Sequence, residues 1–192
     1  MRLENQNYKV VAENLELKSL IKAVKDISEE EWNKDKFRQN RFEVAKEVTT
    51  IMMKMNGSDT DAGDNPDKTV IFEDWYKWKD LVQPVLDQVI PLYKNAFVNK
   101  CMLPRLRAGA VIPKHYDSAD TFAFSHRLHI PLVTNKEAKM SIGEEGIGCG
   151  ESVWNMEVGK CYEINNRKLH GVENKGNDDR IHLLFDIYEQ DE

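Results

Sequence analysis

From Phe97 onward the chain is cut into eight short segments, 98–107, 110–115, 125–133, 137–142, 151–154, 160–164, 169–173 and 180–188. Each is β-branched or alternating in character, and Gly, Asn and Asp punctuate the gaps between them. Short strands at this spacing predict an antiparallel sandwich or barrel. Ahead of Phe97 the apolar residues recur at helical spacing. Helices first and strands second make the class α+β. The expected architecture is a double-stranded β-helix, or jelly roll, over residues 97–192, buttressed by a mainly helical region over 1–96. At 192 residues the chain is expected to be one domain with a sizeable core.

The helical half divides as follows. Residues 1–9 are polar and either fray or add an edge strand. Val11, Leu15, Leu17, Leu20, Ile21 and Val24 give a first helix within Val10–Ile27. Ser28 with Glu31 three residues on is a capping-box pattern that starts a second. Phe42 to Met55 reads as its mostly helix-forming continuation, against the grain of Thr49, Thr50 and Ile51. Asn56 to Asp67 is a dense run of turn formers, hence a loop and a candidate lid; it lacks the ligand register of an EF-hand. Val70–Phe72 is a strand candidate. Asp74 to Asn95 is a helix whose Trp75 and Trp78 belong to the core, with Pro84 marking a kink or two abutting helices.

A net charge of −6 with no Lys/Arg stripe argues against a nucleic-acid binder. No window approaches the roughly 18 apolar residues of a membrane span, and no leader-like apolar region opens the chain, so a soluble, cytoplasmic protein is expected. Cys101, Cys149 and Cys161 are unpatterned and read as buried or half-buried filler in a reducing compartment.

The chemistry gathers in the strand half. His115-Tyr116-Asp117 is an H-x-D triplet at a strand end. Residues i and i+2 of an extended segment share a face, so His115 and Asp117 can grip one ion together. His170 ends the block YEINNRKLH, 53 residues after Asp117. Two imidazoles and one carboxylate make the facial triad that leaves open positions on Fe(II). Ten residues after His170, Arg180 opens the strand RIHLLFD, where a guanidinium can hold a carboxylate bidentately. Arg127 and His129 lie two apart on one strand and so on one face. His126 points the other way, and His182 reads as a core histidine. Arg105 and Arg107 share a face and would meet either a substrate carboxylate or a salt-bridge partner. Asn165 and Asn166 are turn residues or hydrogen-bond to groups around the ion. Gly146, Gly148 and Gly150 mark a tight turn, since neither a helix nor a Lys-Ser/Thr follows to make a phosphate loop.

Four blocks, R-L-x-x-G-x-x-I-P-x-H-x-D (105–117), H-R-L-H-I-P-L-V-T-N (126–135), E-I-N-N-x-x-x-H (163–170) and D-R-I-H-L-L-F-D (179–186), resemble the aspartyl/asparaginyl β-hydroxylase-like family of Fe(II)- and 2-oxoglutarate-dependent oxygenases. The resemblance spans roughly Phe97 to Tyr188. It implies that His115, Asp117 and His170 ligate iron and that Arg180 binds the distal carboxylate of 2-oxoglutarate. Arg127 and His129 would then hold the carboxylate or oxo group nearest the metal. With O2 as oxidant, the implied reaction hydroxylates an amino acid, a peptidyl side chain or another small metabolite. Members typified by the animal aspartyl β-hydroxylase carry Gly where this chain has Asp117, so the chain is more similar to the bacterial and phage branch, and peptide specificity is not carried over. The rival reading is a non-oxygenase, cupin-like metal sensor or isomerase. Arg180, Arg127 and His129 discriminate, because a plain metal site needs no cations spaced for a dicarboxylate. Oligomeric state is left undecided by the sequence.

Overall fold

The computed structural model describes residue 3 and residues 5–57, 69–117 and 125–190. All eight segments after Phe97 form strands: β4 (Ala96–Leu106), β5 (Val111–His115), β6 (Ser125–Val133), β7 (Ala138–Ile142), β8 (Ser152–Trp154), β9 (Cys161–Ile164), β10 (His170–Asn174) and β11 (Arg180–Glu189). Three more precede them, β1 (Tyr8–Ala12), β2 (Val48–Asn56) and β3 (Thr69–Ile71). The helices are α1 (Lys18–Lys25), α2 (Glu29–Trp32), α3 (Phe37–Arg41) and α4 (Glu73–Leu86), with 3-10 turns at Glu43–Ala45 and Ile90–Leu92.

The strands pair antiparallel into two sheets, one of seven in the order β1-β9-β6-β11-β4-β2-β3 and one of four in the order β5-β10-β7-β8. From β4 on, the chain passes repeatedly from one sheet to the other, so residues distant in sequence are brought onto facing surfaces. Val48, Leu106, Tyr162 and Ile164 of the larger sheet share one buried cluster with Met140, Ile142 and Val172 of the smaller. On its other face the larger sheet is covered by α1 and α4: Leu20, Val24, Trp78, Val82 and Leu86 pack with Cys101, Leu103, Leu183 and Phe185. Burying each large apolar side chain of this layer is worth about 1.5–3 kcal/mol. Trp75 and Trp78 are core residues, as the spacing predicts. No helix of the described residues is long and apolar enough to cross a membrane.

Two expectations for the first half need correction. Residues 1–96 are not mainly helical. The edge strand allowed for residues 1–9 forms as β1 and takes Val10–Ala12 from the first expected helix, which is confined to Lys18–Lys25. Phe42–Met55, expected as helix, holds the 3-10 turn and most of β2. β2 pairs with β4 along most of its length and is buried at nearly every position. A strand covered on both faces loses the alternation that identifies it. Its Met and Lys residues favour helix in isolation, and non-local pairing with β-branched Val48–Ile51 overrides them. The helix over 74–95 is also shorter. It passes Pro84, ends at Leu86, and resumes as the 3-10 turn. The Ser28 cap forms, with Ser28 Oγ accepting from the Glu31 amide at 3.1 Å, on a helix of four residues. Residues 58–67 of the loop read as a candidate lid lie outside the described residues. Cys101 and Cys161 are buried as expected, and Cys149 is exposed, in a turn whose Gly146, Gly148 and Gly150 all take positive φ.

One buried carboxylate ties β1 and β6 to the loop before β4. Glu163 receives Lys9 Nζ at 2.7 Å, His126 Nδ1 at 2.7 Å and Tyr93 Oη at 2.9 Å. Burial works against its ionisation, but the bonds from His126 and Lys9 outweigh that and hold its pKa below 4.5. A depressed carboxylate contributes stability above its unfolded pKa and loses it as pH falls through the folded value. Glu163→Gln is therefore expected to lower Tm at pH 7 by roughly 6–12 °C, from about 3 kcal/mol. The gap to wild type should shrink as pH drops below 4.5. A pH series of thermal melts checks this, and a gap constant down to pH 2.5 would refute it.

Candidate active site

His115 and His170 are direct cross-strand partners on β5 and β10. That pairing sets their Cβ atoms within about 5 Å of each other and brings the two rings together, centroids 4.3 Å apart. Asp117, two residues beyond the end of β5, is anchored by its own amide donating to the Asn166 carbonyl at 3.2 Å. Its carboxylate lies 3.7 Å from His115 Nε2 and 4.0 Å from His170 Nε2. One potential ligand atom from each of the three falls within 4.8 Å of the others, a geometry able to hold a metal ion.

The imidazoles are preset for that task. His115 Nδ1 lies 2.8 Å from the Pro113 carbonyl, and His170 Nδ1 lies 2.8 Å from the Lys168 carbonyl, in each case two residues back along the chain. A carbonyl only accepts, so each Nδ1 carries the proton and each Nε2 presents its lone pair to the cluster. Burial holds the His170 pKa below 6.5, keeping that ring neutral at pH 7. Asp117 is ionised. Burial opposes this, yet Arg127, His170, Asn166 and Lys100 bring its pKa down to about 2.

Arg127 forks onto Asp186 through Nε and Nη2, both at 2.8 Å, and its Nη1 donates to Asp117. Asn166 Nδ2 adds a bond to the same Asp117 oxygen at 2.9 Å. Asp186 and Asn166 thus belong to the site, one through Arg127 and the other directly. Asp186 was legible only in its spacing, since it falls on the same strand face as Arg180, three alternations on. Lys100 Nζ lies 3.8 Å from Asp186.

Arg180 and His129 line the same cavity of about 310 Å³ as the three metal-competent residues. Arg180 is buried and has no ion-pair partner among the described residues, and its Nη2 lacks any hydrogen bond. Burial alone lowers its pKa to about 10. A buried guanidinium without an anion costs several kcal/mol. Both ring nitrogens of His129 are likewise buried and unpartnered, and burial first, then the charge of Arg180, keeps the ring neutral. His182 packs edge-on against His129, centroids 5.6 Å apart, and is fully buried, but it is not the satisfied core histidine expected, since neither ring nitrogen has a hydrogen bond. His126 bonds Glu163, away from the cluster. Arg105 and Arg107 both bind Glu29 of α2, on the helix side of the sheet, so of their two readings the salt bridge is the one the structure contains. Arg105 holds the Glu29 pKa down at about 2.

Comparisons with known proteins agree with this picture. A family model described as aspartyl/asparaginyl beta-hydroxylase matches residues 5–190. Among solved structures, the chain is similar to an oxidoreductase of the 2OG-Fe(II) oxygenase family from Burkholderia pseudomallei, at 13% identity and TM-score 0.54, over 74% of this chain and 67% of that one. It is also similar to the apo form of the non-heme monooxygenase ThoJ, at 13% identity and TM-score 0.55, over 98% of this chain and 76% of that one. At such identity these two likenesses concern the fold. No curated protein sequence matches the chain. With a family model spanning nearly its whole length, the chain belongs to the aspartyl/asparaginyl β-hydroxylase family and is an oxygenase.

Proposed function

We propose that this oxygenase is Fe(II)- and 2-oxoglutarate-dependent and hydroxylates a small-molecule, amino-acid or peptidyl substrate. The observation that carries the reading is Arg180, a buried cation with no ion-pair partner among the described residues, lining one cavity with a His-Asp-His cluster. A dicarboxylate with one end at the metal and the other at Arg180 would satisfy both. The donor set suits iron: two imidazole nitrogens and one carboxylate, with positions left open. When bound, Fe(II) would activate O2 and 2-oxoglutarate would supply two reducing electrons through its decarboxylation to succinate and CO2, one oxygen atom going to succinate and the other to the substrate C–H bond.

The chain's own residues then have separable tasks. His115, Asp117 and His170 hold the ion. The Pro113 and Lys168 carbonyls orient the two imidazoles, while Arg127 and Asn166 orient the carboxylate. Arg180 neutralises the distal carboxylate. His129, neutral and unpartnered, can donate one hydrogen bond to the co-substrate near the metal. Val48, Ile112, Met140, Ile164 and Val172 give the cavity an apolar wall that keeps water from these charges.

The strand order supports reading the strand half as a double-stranded β-helix, with β9, β6, β11 and β4 facing β5, β10, β7 and β8. The helices and β1 to β3 flank it within one domain. A cupin-like sensor or isomerase would have no use for Arg180.

The test is anaerobic. Adding Fe(II) and then 2-oxoglutarate to the protein is expected to produce the weak visible charge-transfer absorption of a chelated 2-oxo acid. Bound metal with no such absorption would overturn the co-substrate, and no bound metal would overturn the whole reading.

A further inference from the structure

Arg180, His182, Leu184 and Asp186 alternate along β11 and so share one face of it. Arg180 and Leu184 line the cavity and Asp186 grips Arg127, which makes this the face turned to the site. His182 stands between Arg180 and Leu184 there, yet it is fully buried and is not among the residues that line the cavity. Its register partner on β6 is Pro131, while Leu184 is paired with His129. The two imidazoles are therefore diagonal neighbours across the strand pair, edge-on with centroids 5.6 Å apart.

Three neighbouring side chains here leave five buried polar atoms without a hydrogen bond: Arg180 Nη2 and both ring nitrogens of His182 and of His129. Each unmade bond of a buried donor or acceptor is destabilising, so five together on one sheet face call for a physical reason. Their capacities are complementary. Burial first, and then the charge of Arg180, keeps both imidazoles neutral, so each offers one N–H and one lone pair. The guanidinium offers N–H groups only. Taken in order, Arg180 Nη2 can donate to His182, His182 to His129, and His129 outward into the cavity. Only that last donor needs a partner from outside the protein. A hydrogen bond of about 2.9 Å between two facing imidazoles sets their centroids roughly 5 Å apart. The observed 5.6 Å is a small ring movement short of one.

Resting on the function proposed above, we infer that His182 is a positioning residue for the co-substrate. With 2-oxoglutarate in the cavity, Arg180, His182 and His129 form one donor–acceptor chain. It runs from the guanidinium at the distal carboxylate to the imidazole nearest the metal. The chain fixes which nitrogen of His129 carries the proton, so that His129 donates to the co-substrate rather than accepting from it. His182 touches neither the metal nor the co-substrate and acts through His129.

The test loads the protein with redox-inert, diamagnetic Zn(II) and titrates it calorimetrically with 2-oxoglutarate. His182→Leu is expected to weaken binding roughly tenfold, and His182→Gln, which keeps a donor and an acceptor, to recover most of the loss. In a His129→Leu background, His182→Leu should cost nothing further, because the chain is already cut. Nitrogen NMR of the His129 ring should show one neutral tautomer once 2-oxoglutarate is added to wild type, and a mixture in His182→Leu. Ligand-free His182→Leu should melt no lower than wild type, since it removes two unpartnered buried atoms. Unchanged affinity in His182→Leu, additive losses in the double variant, or the same tautomer in both proteins would each overturn the inference. A lowered ligand-free melting temperature would do so too, by making His182 part of the packing. Wild type that binds no 2-oxoglutarate would instead remove the proposed function, and this inference with it.

Discussion

Arg180→Met is expected to give a protein that binds 2-oxoglutarate at least about 100-fold more weakly and yet melts at a higher temperature without ligand. Both effects follow from one fact. The Arg180 guanidinium is buried, its Nη2 has no hydrogen bond, and burial alone depresses its pKa to about 10. Without the co-substrate this charge is a liability, and an apolar side chain of similar length should relieve about 1–3 kcal/mol, a rise of several °C. On the proposed function it would pair with a desolvated carboxylate of the bound co-substrate, and truncating one half of such a pair typically costs about 2–5 kcal/mol of binding. Calorimetric titration of 2-oxoglutarate beside thermal melts of the ligand-free proteins measures both. Weakened binding with an unchanged or lowered apo melting temperature would mean that Arg180 is already paired. Unchanged binding would remove 2-oxoglutarate from this side of the cavity.

His170→Ala should cost more than 100-fold in Fe(II) affinity and abolish the anaerobic absorption at 2-oxoglutarate concentrations that saturate wild type. Losing an outer partner of a metal ligand typically costs 10–100-fold, and removal of the ligand itself must exceed that. Asn166→Ala supplies the comparison. It leaves all three donors in place and removes one hydrogen bond from Asp117, so its loss should stay within the 10–100-fold range. Equilibrium titration with Fe(II) under argon, followed by the 2-oxo acid, ranks the variants. Equal losses in both would show that Asn166 does more than orient a carboxylate. Full metal binding in His170→Ala would dismiss the His-Asp-His cluster as the metal centre.

These two variants probe opposite ends of one cavity, and the two ends were legible to different degrees. The cluster was written in the chain as H-x-D plus a histidine, because two strand residues two apart share a face wherever the strand lies. Arg180 was legible as a cation opening a strand. What surrounds them was not. Asp186 appeared only as the last letter of RIHLLFD, and its grip on Arg127 requires β6 and β11 to pair in one register. Arg105 and Arg107 left two readings open, and their place at the end of β4 beside α2 decided for Glu29. The methionines of β2 were misread outright. Met52 and Met55 suit a helix by propensity, and only the pairing of β2 with β4 brings them into one buried cluster with Met102 and Leu184.

By itself, then, the sequence determined local quantities: where strands begin and end after Phe97, which residues of each strand share a face, and which side chains can ligate or neutralise. Those depend on backbone periodicity and side-chain chemistry, which act over a few residues. The tertiary structure decided everything that depends on register between distant strands. Setting His115 opposite His170, and running a row from His129 through Leu184 to Met102 and Met52, needs hydrogen-bond ladders between residues up to 82 positions apart. Register is set cooperatively by how all the faces bury together, so no single segment contains it.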